Sequence, residues 1–305
     1  MNEFLPEGKK INSIENKRGI SGVSALMTAQ ASGEILEGKA VMCDEQHNLL
    51  VDLGGVRGII PREEGAIGIA EGLTRDIALI SRVGKSVCFV VDSVKTDNQG
   101  ECYAVLSRRK AQARCKEYLL SKSAGDIIDA TVTHLESFGA FCDIGCGNVG
   151  LLPIDSISVS RISHPKDRFE VGDNIRVIIK NIAEDGKITL SHKELLGTWT
   201  ENAMLFSQGQ TVSGIIRSVE DYGVFVELTA NLTGLAEPRA DAKVGQMASV
   251  YIKSIIPEKM KIKLIIIDSF DTDYKGAVSY FYHDDRISDF QYSPCGSQKQ
   301  IYSQF

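Results

Sequence analysis

The sequence predicts an all-β protein of three tandem five-stranded barrels joined by short helical linkers, with partly ordered tails. Two observations carry that expectation. A short alternating strand recurs three times, as Leu49-Leu-Val-Asp-Leu53, Ala140-Phe-Cys-Asp-Ile144 and Val224-Phe-Val-Glu-Leu228. Alternation sends every second side chain to one face, so the apolar set in each copy marks a core. Around each copy, five strand signals follow in one order, with a longer, partly helical connection after the third. Five short strands in so small a unit hide their edges only by closing on themselves.

Residues 1–32 are polar, apart from Val23-Ser-Ala-Leu-Met27, and read as a loose tail or a short docking segment. The first barrel spans 33–107. Residues 108–124 form a basic linker helix: Ser107 is a candidate N-cap, and Ala111, Cys115, Tyr118 and Leu119 make its apolar stripe. Its cations, Arg108, Arg109, Lys110, Arg114, Lys116 and Lys122, suit either a solvated linker or a phosphate-attracting strut. The second barrel spans 125–192. A linker, 193–208, carries Trp199, expected to pack between the second and third barrels. The third barrel spans 209–269, and each of the three has the strand count of an OB-type barrel. Residues 270–305 are acidic and aromatic, too short for a fourth barrel, and expected to fold back on a barrel or on another chain.

The 305 residues carry a net charge of -6, which alone argues against a nucleic-acid partner, although only local charge matters at a local site. No apolar run approaches a membrane span, and the first residues lack a secretion signal, so no membrane partner is expected. Seven scattered cysteines read as reduced thiols of a cytoplasmic protein. With no pair of ligand motifs at zinc spacing, neither a metal nor another cofactor is expected.

Two of the recurring strands add rings. Phe138 and Phe141, and likewise Tyr222 and Phe225, are three apart with Gly139 or Gly223 between them. A regular strand would put such rings on opposite faces; a kink at the glycine would bring them together. Asp143 and Glu227 are placed on that same outer face. Exposed rings on an OB barrel stack on bases of single-stranded nucleic acid, whereas a purely structural role would have Phe141 and Phe225 pack under the long connection after the third strand. Cations for the phosphates are offered by His134 and Arg217 before the rings, and by Lys187, Lys261 and Lys263 on the last strand, with Lys259 nearby. The first barrel has His47 and Leu50 instead of rings, so its stacking face is degenerate and the unit reads as protein-facing or weakened.

Ser137-Phe-Gly-Ala-Phe-Cys-Asp-Ile-Gly, Gly150-Leu-Leu-Pro, Arg161-Ile-Ser-His-Pro-Lys-Asp, Val171-Gly-Asp and Ile188-Thr-Leu-Ser resemble the S1 RNA-binding domain family. Leu106-Ser-Arg-Arg-Lys-Ala and Glu194-Leu-Leu-Gly-Thr-Trp resemble the connections of its short Gram-positive ribosomal members, and the likeness covers about residues 33–268. It implies non-catalytic binding of single-stranded RNA or mRNA in translation at the small ribosomal subunit, with the first barrel and the tails as docking parts. It also implies RNA contact by Phe138, Phe141 and Lys187, and by Tyr222, Phe225 and Lys261. Pro153 and Glu237 stand where the family often has His, and Ala183 and Pro257 where an acid is expected; one contact per barrel is thereby lost. His164 suits a helix cap or an RNA contact. Two other readings stand beside this one: a non-ribosomal S1-domain regulator or protein scaffold, and a nuclease whose catalytic group would be His283-Asp-Asp-Arg286.

Overall fold

The computed structural model describes residues 4–276 and 278–305. Three closed five-stranded barrels follow one another along the chain. The chain forms two compact units: one runs to Lys122 and takes in Asp143–Val149, the other comprises Ser123–Cys142 and Gly150–Phe305.

In the first unit, residues 4–32 are not a loose tail. Ser13 caps α1 (Ile14–Gly19), and α2 (Val23–Ser32) ends on Gly33 at φ 68°, a left-handed residue that glycine adopts without strain. The apolar patch recognised in the sequence is the inner face of α2, where Leu26 and Ala29 join the core of the first barrel. That barrel comprises β1 (Leu36–Cys43), β2 (Leu49–Asp52), β3 (Arg57–Ile60), β4 (Ser86–Thr96) and β5 (Cys102–Ser107), closed in the order β1-β2-β3-β5-β4. Leu49, Val51 and Leu53 point inward as their alternation requires. The connection after β3 holds α3 (Ile77–Ile80).

The linker helix α4 (Arg108–Leu120) starts at Ser107, whose hydroxyl accepts from the Lys110 amide, and buries Ala111, Cys115 and Leu119. Its basic residues do not form a free strut. Arg108 is buried against Glu7, Arg109 reaches Glu64, Lys110 pairs with Asp92, and Lys122 lies over the Tyr118 ring. Glu7 organises a buried polar centre. Its carboxylate accepts from Arg108 at 2.7 and 2.9 Å, from Arg82 at 3.3 Å and from the Cys88 amide at 3.1 Å. Burial opposes that charge, but the two guanidiniums hold the Glu7 pKa below the usual carboxylate value. The Glu7 amide donates to Asp143 at 2.8 Å, and the Gly8, Lys10 and Ile11 amides donate to Glu37. Burial, together with the Glu7 charge, pushes Glu37 up to about 7 and Asp143 up to about 6.

In the second unit, β6 (Ile127–Glu136), β7 (Gly139–Asp143), β8 (Val149–Pro153), β9 (Asn174–Ile182) and β10 (Ile188–Ser191) close in the order β10-β8-β7-β6-β9. The third barrel, of β11 (Thr211–Glu220), β12 (Gly223–Thr229), β13 (Leu232–Ala236), β14 (Met247–Ile256) and β15 (Lys261–Phe270), repeats the order of the first. Thr198 caps α5 (Trp199–Ala203) in a reciprocal box with Glu201. Trp199 is buried in the core of the third barrel, with Val159 from the connection after β8 packed against that core.

A buried ion triad joins the second and third barrels. Arg168, after β8, holds both Glu227 oxygens at 2.7 and 2.8 Å, and Arg217 approaches the same carboxylate at 2.9 and 3.1 Å. The segment after β15 folds back on this unit. Its strands β16 (Asp289–Gln291) and β17 (Tyr302–Gln304) pair with each other, and Tyr292 is buried with its hydroxyl on the Asn231 carbonyl. His192, fully enclosed beside Phe169 and Tyr280, has its pKa lowered to about 4 by burial and is neutral at physiological pH.

Candidate nucleic-acid interface

The two ring pairs meet as the glycine kink anticipated, and a tight hairpin supplies the reason. Ser137-Phe138 and Asp221-Tyr222 are two-residue turns, so the first ring of each pair projects from a hairpin tip while the second stands on the strand that follows. Phe138 and Phe141 have centroids 6.0 Å apart and planes at 88°; Tyr222 and Phe225 are 6.1 Å apart at 85°. The tip rings are the exposed partners, at 54% for Phe138 and 67% for Tyr222. Each perpendicular pair forms a corner, with the edge of one ring set against the face of the other. Glycine is required between the rings because a Cβ at Gly139 or Gly223 would sit 2.5 Å from the carbonyl oxygen of Leu152 or Ala236.

The cations divide into three kinds. His134 lies 6.3 Å from Phe141 with its plane inclined by 28°, which makes it a third ring of that corner, and its Nε2 is 2.7 Å from Glu136. Lys187 precedes β10 and is 85% exposed, but Asp185 holds its amine at 2.6 Å and raises its pKa. Lys261 and Lys263 on β15, with Lys259 just before it, have no ion pair among the described residues. Together with Tyr222 and Phe225 they line a groove of about 550 Å³.

Arg217 corrects the expectation. It was paired with His134 by spacing, yet the register of β11 and β12 shifts between Ile216 and Ser218, leaving Arg217 as the bulged residue. Its side chain turns to Glu227 and is committed to the ion triad; Ser218 takes the place opposite Phe225. Asp143 and Glu227 are corrected with it: both are buried, each satisfied by specific donors, and neither shares the wet face of the rings. His164 caps the short 3-10 turn Pro165–Asp167, its Nδ1 accepting from the Lys166 amide while Asp167 accepts from the His164 amide. The His283–Arg286 run is used structurally. The carbonyls of His283 and Asp284 accept from Arg176, and Arg286 pairs with Asp126. Among the described residues no group of three or more His, Cys, Asp or Glu side chains could hold a metal ion.

Sequence reasoning missed Lys299, Tyr292 and Ile301, which line the third-barrel groove from the C-terminal segment. The density of aromatic residues after Phe270 was the available signal for packing, but nothing in the pattern said against which face.

The fold and the site together define tandem closed five-stranded barrels of OB type, two of which carry a ring corner with lysines nearby. Residues 121–193 match the model of the S1 RNA binding domain. The chain is similar to the small ribosomal subunit protein bS1 of Leuconostoc lactis, 29% identical over 252 residues, which are 77% of this chain and 56% of that protein. The bS1 of Staphylococcus aureus is 28% identical over 253 residues, again 77% of this chain and 62% of the relative. The matched span is thus little more than half the length of these relatives. Among solved structures, GSP13 from Bacillus subtilis is 28% identical over 23% of this chain and 55% of its own, with a TM-score of 0.22. No helix among the described residues is long and apolar enough to cross a membrane.

Proposed function

We propose that the chain binds single-stranded RNA without catalysing a reaction on it, and that it holds mRNA at the small ribosomal subunit in the cytoplasm. The observation that carries this reading is the repeated ring corner: two barrels of like architecture each present two perpendicular rings, one largely exposed, with Lys187 just before the last strand of one and Lys261 at the start of the last strand of the other. Base stacking on such rings contributes about 1–3 kcal/mol per base and tolerates any sequence. Both corners lie in the same unit, so one strand engaging both gains from effective concentration even when each barrel alone is weak. The names of the bS1 relatives support the ribosomal part of the proposal.

The test replaces Phe141 and Phe225 together by alanine and measures affinity for a single-stranded oligoribonucleotide. A loss of about 2–6 kcal/mol is expected if the two contacts add, with the circular dichroism spectrum unchanged. Unaltered affinity in a folded double variant would sink the stacking role. Co-sedimentation with small ribosomal subunits tests the cellular partner, and its absence would remove that part alone.

A further inference from the structure

We propose that the C-terminal segment is one wall of the nucleotide-binding groove on the third barrel, and that Lys299 supplies a phosphate contact there. This rests on the RNA-binding reading above and assigns the ligand of one site within it.

Three observations support it. First, the groove of about 550 Å³ is lined by Tyr222, Phe225 and the β15 lysines of the barrel together with Tyr292, Lys299 and Ile301 of the C-terminal segment. Second, the segment is held in place. The Trp199 amide donates to the Tyr292 carbonyl at 3.0 Å, and the Tyr292 amide to the Ile301 carbonyl at 3.0 Å. The Ile301 amide donates to Ser293 Oγ at 2.8 Å, and the Ser297 hydroxyl to the Lys299 carbonyl at 2.8 Å. The backbone of Lys299 is therefore positioned by a folded turn seated on a buried tyrosine. Third, Lys259, Lys261, Lys263 and Lys299 have no acidic partner among the described residues, whereas Lys187 on the second barrel is neutralised by Asp185.

The chemistry follows from that arrangement. The apolar lining of Leu235, Met260 and Ile301 suits a flat, weakly polar body, and the four lysines that line the same groove suit spaced negative charges. A nucleotide of a single strand has both parts, with its neighbour stacked in the ring corner. A free mononucleotide offers the same groups but only one phosphate, and so meets fewer of the amines.

The experiment measures binding of the full chain to a fluorescent 12-nucleotide oligouridylate across a salt series, with uridine monophosphate as a competitor. Lys299→Ala is expected to weaken oligonucleotide binding about 3- to 10-fold at low salt and to reduce the slope of log affinity against log salt by about 0.7. Lys299→Glu should weaken it further, Lys299→Arg should restore it, and Lys17→Glu in α1, an exposed lysine of the other unit, should leave the slope unchanged. Phe225→Ala serves as the second arm. If Phe225→Ala weakens binding while the Lys299 variants change neither affinity nor slope, the C-terminal wall is overturned and the ring corner stands. If Phe225→Ala has no effect, the underlying RNA reading fails. Loss of uridine monophosphate competition in Lys299→Ala, with oligonucleotide binding intact, would make the site one for free nucleotides and would also overturn the proposal.

Discussion

The first and third barrels share strand order and inward residues, yet they use the same lattice positions for opposite ends. In β2 and β12, Val51 and Val226 are equivalent core residues, paired with Ala40 and Ile216. The next residue is Asp52 in one and Glu227 in the other; Asp52 is exposed and accepts from the Gly54 amide, whereas Glu227 is buried between two arginines. Where the third barrel sets Phe225 opposite Ser218, the first sets Leu50 opposite Met42. The parallel pairing of the last strand puts Tyr103 of the first barrel, beneath Arg57, at the place of Lys187 and Lys261. The hairpin also differs. Instead of a two-residue turn, the first barrel has the loop Asp44–Asn48, in which Asp44 accepts from the Gln46 and Asn48 amides and His47 has φ 63°. Closure of the barrel thus depends on the inward positions alone, and the outward ones are free to specialise.

The widest separation between the two barrels should be seen in stability. Glu227→Ala strands two buried guanidiniums and should cost about 3–5 kcal/mol in denaturant unfolding of the second unit. Asp52→Ala loses one exposed turn bond and should cost less than about 1 kcal/mol. Equal effects would break the contrast between the acids. Next in size, Tyr222→Ala should weaken single-stranded RNA binding by about 1–3 kcal/mol, while His47→Ala in the first barrel leaves it unchanged.

Asp143 is the second barrel's acid at this position, and it gives a pH test. Carboxyls pushed up to about 6 and about 7 keep protons in the folded state that the unfolded chain has already released. Stability of the first unit should therefore fall as pH rises from about 4 to 7, by at most about 1.4 kcal/mol per pH unit for each group. Glu37→Gln should flatten that slope in a thermal-melt series. Glu7 acts in the opposite sense: its lowered pKa supports the fold above the ordinary carboxylate range and loses that support in more acidic solution. The smallest effect sharpens the comparison between the second and third barrels. Asp185→Ala frees Lys187 and should strengthen RNA binding only slightly, as expected for the loss of an exposed ion pair.

Repetition made the barrels legible from residues alone, because a period-two core written three times leaves one face to bury. The ring pairs were legible for the same reason. Arg217 was misplaced because a bulge inserts one residue and turns the side chain, and spacing cannot register that. The N-terminal segment was underestimated because its hold on the barrel depends on few apolar residues, Leu26 and Ala29, and on a buried carboxylate, Glu7, whose partners lie far along the chain. Lys299 escaped notice because a lone lysine in a polar stretch acquires meaning only from the wall it stands in.

The ion triad of Arg168, Glu227 and Arg217 has one more consequence. By tying the connection after β8 to β11 and β12, it fixes the second and third barrels as one body, and both ring corners ride on it. Such a body measures its ligand. Oligonucleotides too short to bridge the corners occupy one or the other, and affinity should rise in a step, not a gradual slope, at the length that first spans both. The chain would then act as a threshold gauge of unpaired stretch, taking firm hold of open RNA only where one accessible piece spans both corners.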